Sequence, residues 1–153
     1  MKYVTKVLQP GETVVYTTHL HWLIFLPAIL LLAVCVAFLI GSAFLGGDWA
    51  KALQAAAALF ALLAIASWAR NAVRRATTEL AVTDRRVIYK AGLLRRHTLE
   101  MNRSKVESVD VDQTLMGRLL GFGTIIVRGT GGSLEPIVGI ADPLTFRSQI
   151  TAA

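Results

Sequence analysis

The residues of this chain that could do chemistry are three histidines, one cysteine, a scatter of acids and several clustered arginines. His19 and His21 form an H-x-H pair, which faces one side of a strand and offers two of the ligands a zinc ion takes. No third ligand is near in sequence, His97 lies in another segment, and a partly polar ring beside Trp22 suits a membrane interface. The pair is read as structural, and no metal is expected. Glu100, Glu107, Asp110 and Asp112 are spread along strand-like segments and read as solvated edge residues rather than a cation site. Cys35 stands alone in an apolar run, so it forms neither an internal disulfide nor a metal site and reads as a buried structural thiol. G-T-G-G at 129–132 lacks the lysine and helix that follow a phosphate cradle, which leaves a hairpin turn. G-F-G-T at 121–124 follows a helical segment and precedes a strand, the reverse of a dinucleotide fingerprint. With no nucleophile elbow, no H-E-x-x-H and no P-loop, no catalytic residue and no cofactor are assigned.

The strongest site candidate is basic. Arg70, Arg74 and Arg75 follow the second of two apolar runs, and Arg85 and Arg86 stand at the tip of TELAVTDRRVIYKAG, residues 78–92. Each cation near an anionic leaflet contributes about 1 kcal/mol, so these five form a candidate lipid-facing cluster. Fixing topology alone is the competing role for the first three, because the positive-inside rule demands such residues. Arg95, Arg96, Arg103 and Lys105 form a second group, but Glu100 and Glu107 interrupt it and a solvated face is expected. The chain carries a formal charge of +6 with a pI near 10.0, which allows nucleic acid or an anionic membrane as partner. Nucleic acid needs a continuous basic stripe with base-stacking side chains; the aromatics here lie mostly in or near the apolar runs, so it is set aside.

These residues are positioned by two kinds of element. Hydrophobic residues make up 54% of the 153 and mean hydropathy is +0.55, concentrated between Leu20 and Ala69. Residues 22–45 are 24 positions without a charge. As a helix they measure roughly 36 Å, against a hydrocarbon core of about 30 Å, so they span with some tilt. Pro27 falls in the first turns, where a helix tolerates it. A cleaved signal peptide competes, but its apolar region would be about 7–15 residues behind a short basic segment. A second, alanine-rich run occupies 50–69, and GGDW at 46–49 suits a tight external turn. The arginines beyond the second run, with Lys2 and Lys6 before the first, place both termini on the cytoplasmic side. Trp22, Trp49 and Trp68 fall at the expected interfaces as an aromatic belt. Ala33, Ala37 and Gly41 form a small-residue ladder that admits a second helix, either the chain's own second run through Ala57 and Ala61 or another copy.

Beyond the apolar runs, residues 70–153 alternate. Strands are expected near Glu79–Thr83, Arg86–Lys90, Leu94–Glu100, Val106–Val111, Thr124–Arg128 and Glu135–Ile140. QTLMGRLLG supplies one or two helical turns, with Leu115/Leu119 and Met116/Leu120 at i,i+4 and Gly121 as the left-handed end. In ADPLTFRSQI, Asp142 caps, Pro143 takes the first helical position, and Phe146 and Ile150 share a face. The N-terminal segment, 1–21, carries a Pro-Gly turn and a strand at Thr13–Thr18 that can join the same sheet.

ELAVTDRRVIYKAGLL, KVESVDVDQTLMGRLLGFGTIIVRGTGG and IADPLTFRSQI, in this order, resemble the bacterial pleckstrin-homology-like membrane proteins. Members carry one or two membrane spans followed by this segment. The resemblance implies a membrane α-hairpin plus a pleckstrin-homology-like, partly open antiparallel barrel with a C-terminal capping helix. It implies no common reaction, and fold does not convey function. The expected role is a non-enzymatic, multi-pass module of the bacterial inner membrane, presenting the domain at the inner leaflet to a membrane or cytoplasmic protein or to another copy. Anionic-headgroup recognition by the basic cluster is the alternative. A small enzyme or transporter component ranks last, since the apolar runs lack buried charges.

Overall fold

The computed structural model describes residues 3–93, 96–130, 132–133 and 136–152. Lys2, Leu94, Arg95, Gly131 and Glu135, which figure in the expectations above, lie outside the described residues. The chain divides into two compact units, Trp22–Val73 and the flanking residues up to His21 and from Arg74 onward.

The first unit is a pair of helices. A 3-10 turn at Trp22–Phe25 leads into α2, Leu26–Phe44, with Pro27 in its first turn; the preceding α1, Val4–Val7, belongs to the other unit. α3 spans Gly47–Thr77, well beyond the apolar run, because Arg70–Thr77 holds no glycine or proline to stop it. Both helices are long and apolar enough to cross a membrane. Their buried residues are Ala28, Cys35 and Ser42 on α2 and Ala57, Ala64 and Asn71 on α3, each set spaced by seven. Small side chains at a seven-residue period let two helices pack closely along a left-handed seam. Phe38 and Phe60 meet at 5.4 Å between ring centroids, and Phe25 and Trp68 at 6.3 Å.

The second unit is the β domain. Its elements are α1 (Val4–Val7), β1 (Val14–Thr18), β2 (Glu79–Thr83), β3 (Arg86–Ala91), β4 (His97–Asn102), β5 (Val106–Asp112), α4 (Leu115–Leu120), β6 (Phe122–Gly129), β7 (Gly132–Ser133), β8 (Ile137–Ala141) and α5 (Pro143–Thr151). One antiparallel sheet runs β1-β2-β3-β4; in the other, β6 pairs with β5, β7 and β8. Val14–Thr18 thus pairs with a strand that follows both long helices, Thr18 opposite Leu80. The sheets meet at one corner, where Leu20 bridges to Ile140, the Ala141 N–H donates to the His19 carbonyl at 3.0 Å and the His21 N–H to Gly139 at 2.7 Å. On the other side β4 and β5 are joined by a 3-10 turn at Arg103–Lys105 and form no ladder with each other, so the barrel is open there.

Strand alternation fills two layers. Leu80, Val82 and Val87 point inward to a core with Val109, Ile125, Val127, Ile137, Ile140 and the α5 residues Phe146 and Ile150. Their neighbours Ala81 and Ile88 point the other way and are buried under Val4 of α1. α1 is too short to show periodicity, and sequence reasoning missed it. The Glu79 carboxylate holds it, accepting the N–H groups of Tyr3 and Val4, both at 3.1 Å. Burial opposes ionisation of Glu79, but these N–H groups and Lys90 outweigh it and keep its carboxyl below the usual range. α5 departs from expectation at its start. Asp142 occupies the cap position in a left-handed conformation (φ 47°), and its side chain makes no capping bond. Aspartate tolerates that backbone better than most residues, and the position serves the tight turn out of β8.

Candidate functional site

The tip of the β2–β3 hairpin is where the sequence placed two of its five candidate arginines, and the fold separates them. Arg85 lies in the turn, with its side chain 53% exposed and Asp84 4.0 Å away. Arg86 is the first residue of β3, and its side chain is 12% exposed. Its guanidinium grips Glu12 bidentately, Nε to Oε1 at 2.9 Å and Nη2 to Oε2 at 2.7 Å. The same group donates to the Val7 carbonyl at 2.7 Å and to Glu100 at 2.5 Å. Glu12 is fully buried at its side chain and also accepts from Thr83 Oγ1 at 2.7 Å and from the Gln9 N–H at 2.8 Å. The Arg86 bond, against the opposing push of burial and aided by Gln9 and Thr83, lowers the Glu12 pKa to about 2. Glu12 in turn raises that of Arg86. Arg86 is therefore an internal structural cation with its donors committed to the fold.

Arg103 is committed too, rather than solvated. Its Nη2 donates to the carbonyls of Gln149 at 2.9 Å, Ile150 at 3.1 Å and Ala152 at 2.5 Å. A cation on the last carbonyls of α5 satisfies acceptors that the helix leaves open and complements its dipole. A cleft of about 830 Å³ opens between these arginines, lined by Asp84, Arg85, Arg86, Asn102, Arg103 and Ser104. Two of its three guanidinium groups are already engaged, so Arg85 is the cation it presents. The partners of Arg86 and Arg103 lie far off in sequence, so no local pattern signals them.

The remaining candidates fall on α3 and the helix pair. Arg70 and Arg74 are exposed one turn apart on a continuous helix, and Arg75 is half-buried. Thr78 closes that helix, its hydroxyl donating to the Arg74 carbonyl at 2.8 Å. Trp22, Trp49 and Trp68 are 49%, 76% and 58% exposed. Trp49 and Trp68 lie roughly 29 Å apart along α3, close to the thickness of a hydrocarbon core. Ala33 and Ala37 are exposed; Gly41 is half-buried, where a Cβ would lie 3.7 Å from the Leu53 side chain of α3, and the buried residues of α2 are Ala28, Cys35 and Ser42. Ala57 lies in that seam and Ala61 is half-buried.

Asp110 pairs with Arg128 at 3.0 Å. The His21 ring stacks on Phe122 at 5.5 Å between centroids, and burial, with the charge of Arg75, pushes its pKa down. Among the described residues, no three His, Cys, Asp or Glu side chains gather as a metal site.

No curated protein and no solved structure gives a significant match to this chain. The sequence profile described as Bacterial PH domain matches residues 21–153, which covers both apolar helices, every strand of the barrel from β2 onward and the capping α5. A partly open antiparallel barrel plugged by a C-terminal helix, behind two apolar helices, is the architecture the sequence resemblance implied, and the chain belongs to the bacterial PH domain family.

Proposed function

We propose that this protein is a non-enzymatic interaction module, anchored in the bacterial inner membrane by α2 and α3, whose PH-like domain takes a protein partner along the open side of its barrel. The carrying observation is that β4 and β5 each pair on one side only, leaving two edges free of any ladder between them. A free edge offers unpaired N–H and C=O groups, which is how an extended segment adds to a sheet. Thr98 on β4 and Ser108 on β5 are exposed along these edges. The non-enzymatic reading is supported by four acids being held in ion pairs, Glu12 and Glu100 with Arg86, Glu79 with Lys90 and Asp110 with Arg128, while Glu107 and Asp112 are exposed on β5. Both tails are assigned to the cytoplasm because Lys6, Arg70, Arg74 and Arg75 flank the helices, and β1 pairs with β2 across them.

Photoreactive side chains at Thr98 and Ser108 are expected to give discrete protein adducts in intact cells, while one at Lys51, in the first turns of α3, gives none of the same size. A cysteine at Lys51, in turn, is expected to react with a membrane-impermeant thiol reagent from outside, and one at Thr98 only after lysis. No adduct at either edge position removes the edge reading; labelling of Thr98 from outside removes the orientation.

A second reading, recognition of anionic headgroups, is favoured by the exposure of Arg70, Arg74 and Arg85. Arg86 is left out of that cluster because its donors are bonded within the domain. A fragment for testing it must join residues 3–21 to 74–152, since the strands from β2 onward need β1 beside them and Arg86 needs Glu12. Flotation of that fragment on phosphatidylglycerol vesicles is expected to fall with salt and to weaken about five-fold in Arg85→Ala. Binding equal in phosphatidylcholine alone, or unchanged in Arg85→Ala, sinks this reading.

A further inference from the structure

The β domain carries a knob of exposed hydrophobic side chains that neither its core nor its open edge uses. α4 holds Leu115 at 83%, Met116 at 60% and Leu119 at 79% exposure. This is a well-built turn rather than a loose end. Thr114 caps it, its Oγ1 accepting the Gly117 N–H at 3.1 Å, and Gly121 closes it in the left-handed conformation with its N–H on the Gly117 carbonyl. Gly117 is the inward residue, where a Cβ would sit 2.7 Å from the Phe122 carbonyl oxygen. At about 100° per residue, Leu115 and Leu119 each lie about 200° from Gly117, so the buried glycine turns both leucines outward.

The knob stands beside the point where the chain leaves the domain for its apolar segment. The His21 ring stacks on Phe122 and hydrogen-bonds to the Leu120 backbone, at the C-terminal end of α4. His21 is bonded to Trp22, the first residue of the 3-10 turn that opens the apolar helices. Cations accompany it: Arg118 is exposed on α4 itself, and the charge of Arg75 acts on the His21 ring. Arg118 also shares a groove of about 310 Å³ with Leu144, which is 57% exposed.

We infer that α4 is an interfacial wedge, with Leu115, Met116 and Leu119 entering the headgroup–acyl boundary of the bilayer and Arg118 meeting anionic headgroups beside them. Apolar side chains on one face and a cation at the rim are the pattern of a helix lying about 5–10 Å into that boundary. A stable protein interface buries about 800 Å² on each partner, far more than six residues of helix present, whereas a bilayer takes up single leucines. The inference uses the membrane reading of α2 and α3 but not the β4/β5 edge.

The test is lipid-depth quenching on the full-length chain. A Cys35→Ala background receives single cysteines carrying an environment-sensitive fluorophore, in phosphatidylcholine–phosphatidylglycerol vesicles with or without lipids spin-labelled near the headgroup. A label at Leu119→Cys is expected to shift to the blue, lose most of its emission to the spin-labelled lipid and resist aqueous iodide. One at Asp110→Cys, exposed on β5, should show the reverse. A label at Leu39→Cys on α2, where the leucine is 49% exposed, reports the anchor itself. Lipid protection at Leu39 without lipid quenching at Leu119 overturns the wedge alone; absence at both overturns the anchor as well. Iodide resistance at Leu119 without lipid quenching marks a protein surface, or a second copy, and also overturns the assignment. Leu115→Ser/Leu119→Ser, labelled at Met116→Cys, is expected to lose lipid quenching while the β6 amides keep their exchange protection. Undiminished quenching in that variant overturns the role given to the leucines.

Discussion

Arg86→Ala is expected to cost the β domain about 3–5 kcal/mol, because it leaves the Glu12 carboxylate buried with no cation. Its neighbour Arg85→Ala, in the exposed turn, should change stability by no more than about 0.5 kcal/mol. Tryptophan fluorescence cannot read this difference, since Trp22, Trp49 and Trp68 all lie in the apolar helices. Amide exchange of β2 and β3 in the solubilised full-length chain can, and a loss of roughly two to four decades of protection in Arg86→Ala is the expected result. The same pair sets an acid limb. Glu12 titrates near 2 in the folded chain against an ordinary value of 4.5, so its contribution is complete above about pH 4.5 and disappears as pH falls toward 2. That contribution is about 3 kcal/mol, and Glu12→Gln should flatten the limb. Equal exchange protection in Arg86→Ala and Arg85→Ala would remove the buried pair from the account.

Phe146→Ala is the second large effect. The ring is fully buried where α5 plugs the barrel, 6.3 Å from Tyr16 between centroids. Nothing nearby can close the space by a simple rotation, since Leu80, Ile125, Val127 and Ile140 are themselves packed in strands. Deleting such a ring costs about 3–5 kcal/mol, and the loss should appear as faster exchange in β6 as well as in α5. Leu144→Ala, on the outer face of the same helix, should cost no more than about 0.5 kcal/mol. A Phe146 variant as resistant to exchange as the Leu144 variant would mean that α5 is not part of the domain's cooperative unit.

Local patterns carried the fold class well. Glu79–Thr83 is a strand over the residues its alternation predicted, and Asp84 and Arg85 form the turn. Gly121 ends α4 in the left-handed conformation that a glycine after a helical turn suggests. Boundaries drifted where hydropathy and helix propensity part company: the apolar run of α3 ends near Ala69, but its helix continues to Thr77. The site was less legible. Arg85 and Arg86 are indistinguishable in sequence, and their fates diverge because strand β3 begins between them and a carboxylate 74 residues away meets only the second. Arg103 likewise reaches the carbonyls at the end of α5, 46 or more residues away. The i,i+4 leucines of α4 marked its helical turns, but their exposure was not legible: Gly117 takes the inward place and turns them out.

The ladder between β1 and β2 also sets a schedule for making the protein. Val14 leaves the ribosome 65 residues ahead of Glu79, and synthesis at about 5–20 residues per second separates them by roughly 3–13 s. Throughout that interval the first strand has no mate, while the two long apolar helices that follow it are being made. Neighbouring nascent chains emerging from one message are then each other's nearest source of a complementary edge. Exchange of the leading strand between siblings is therefore an assembly error open to this architecture, and prompt arrival of β2 is what keeps each copy whole.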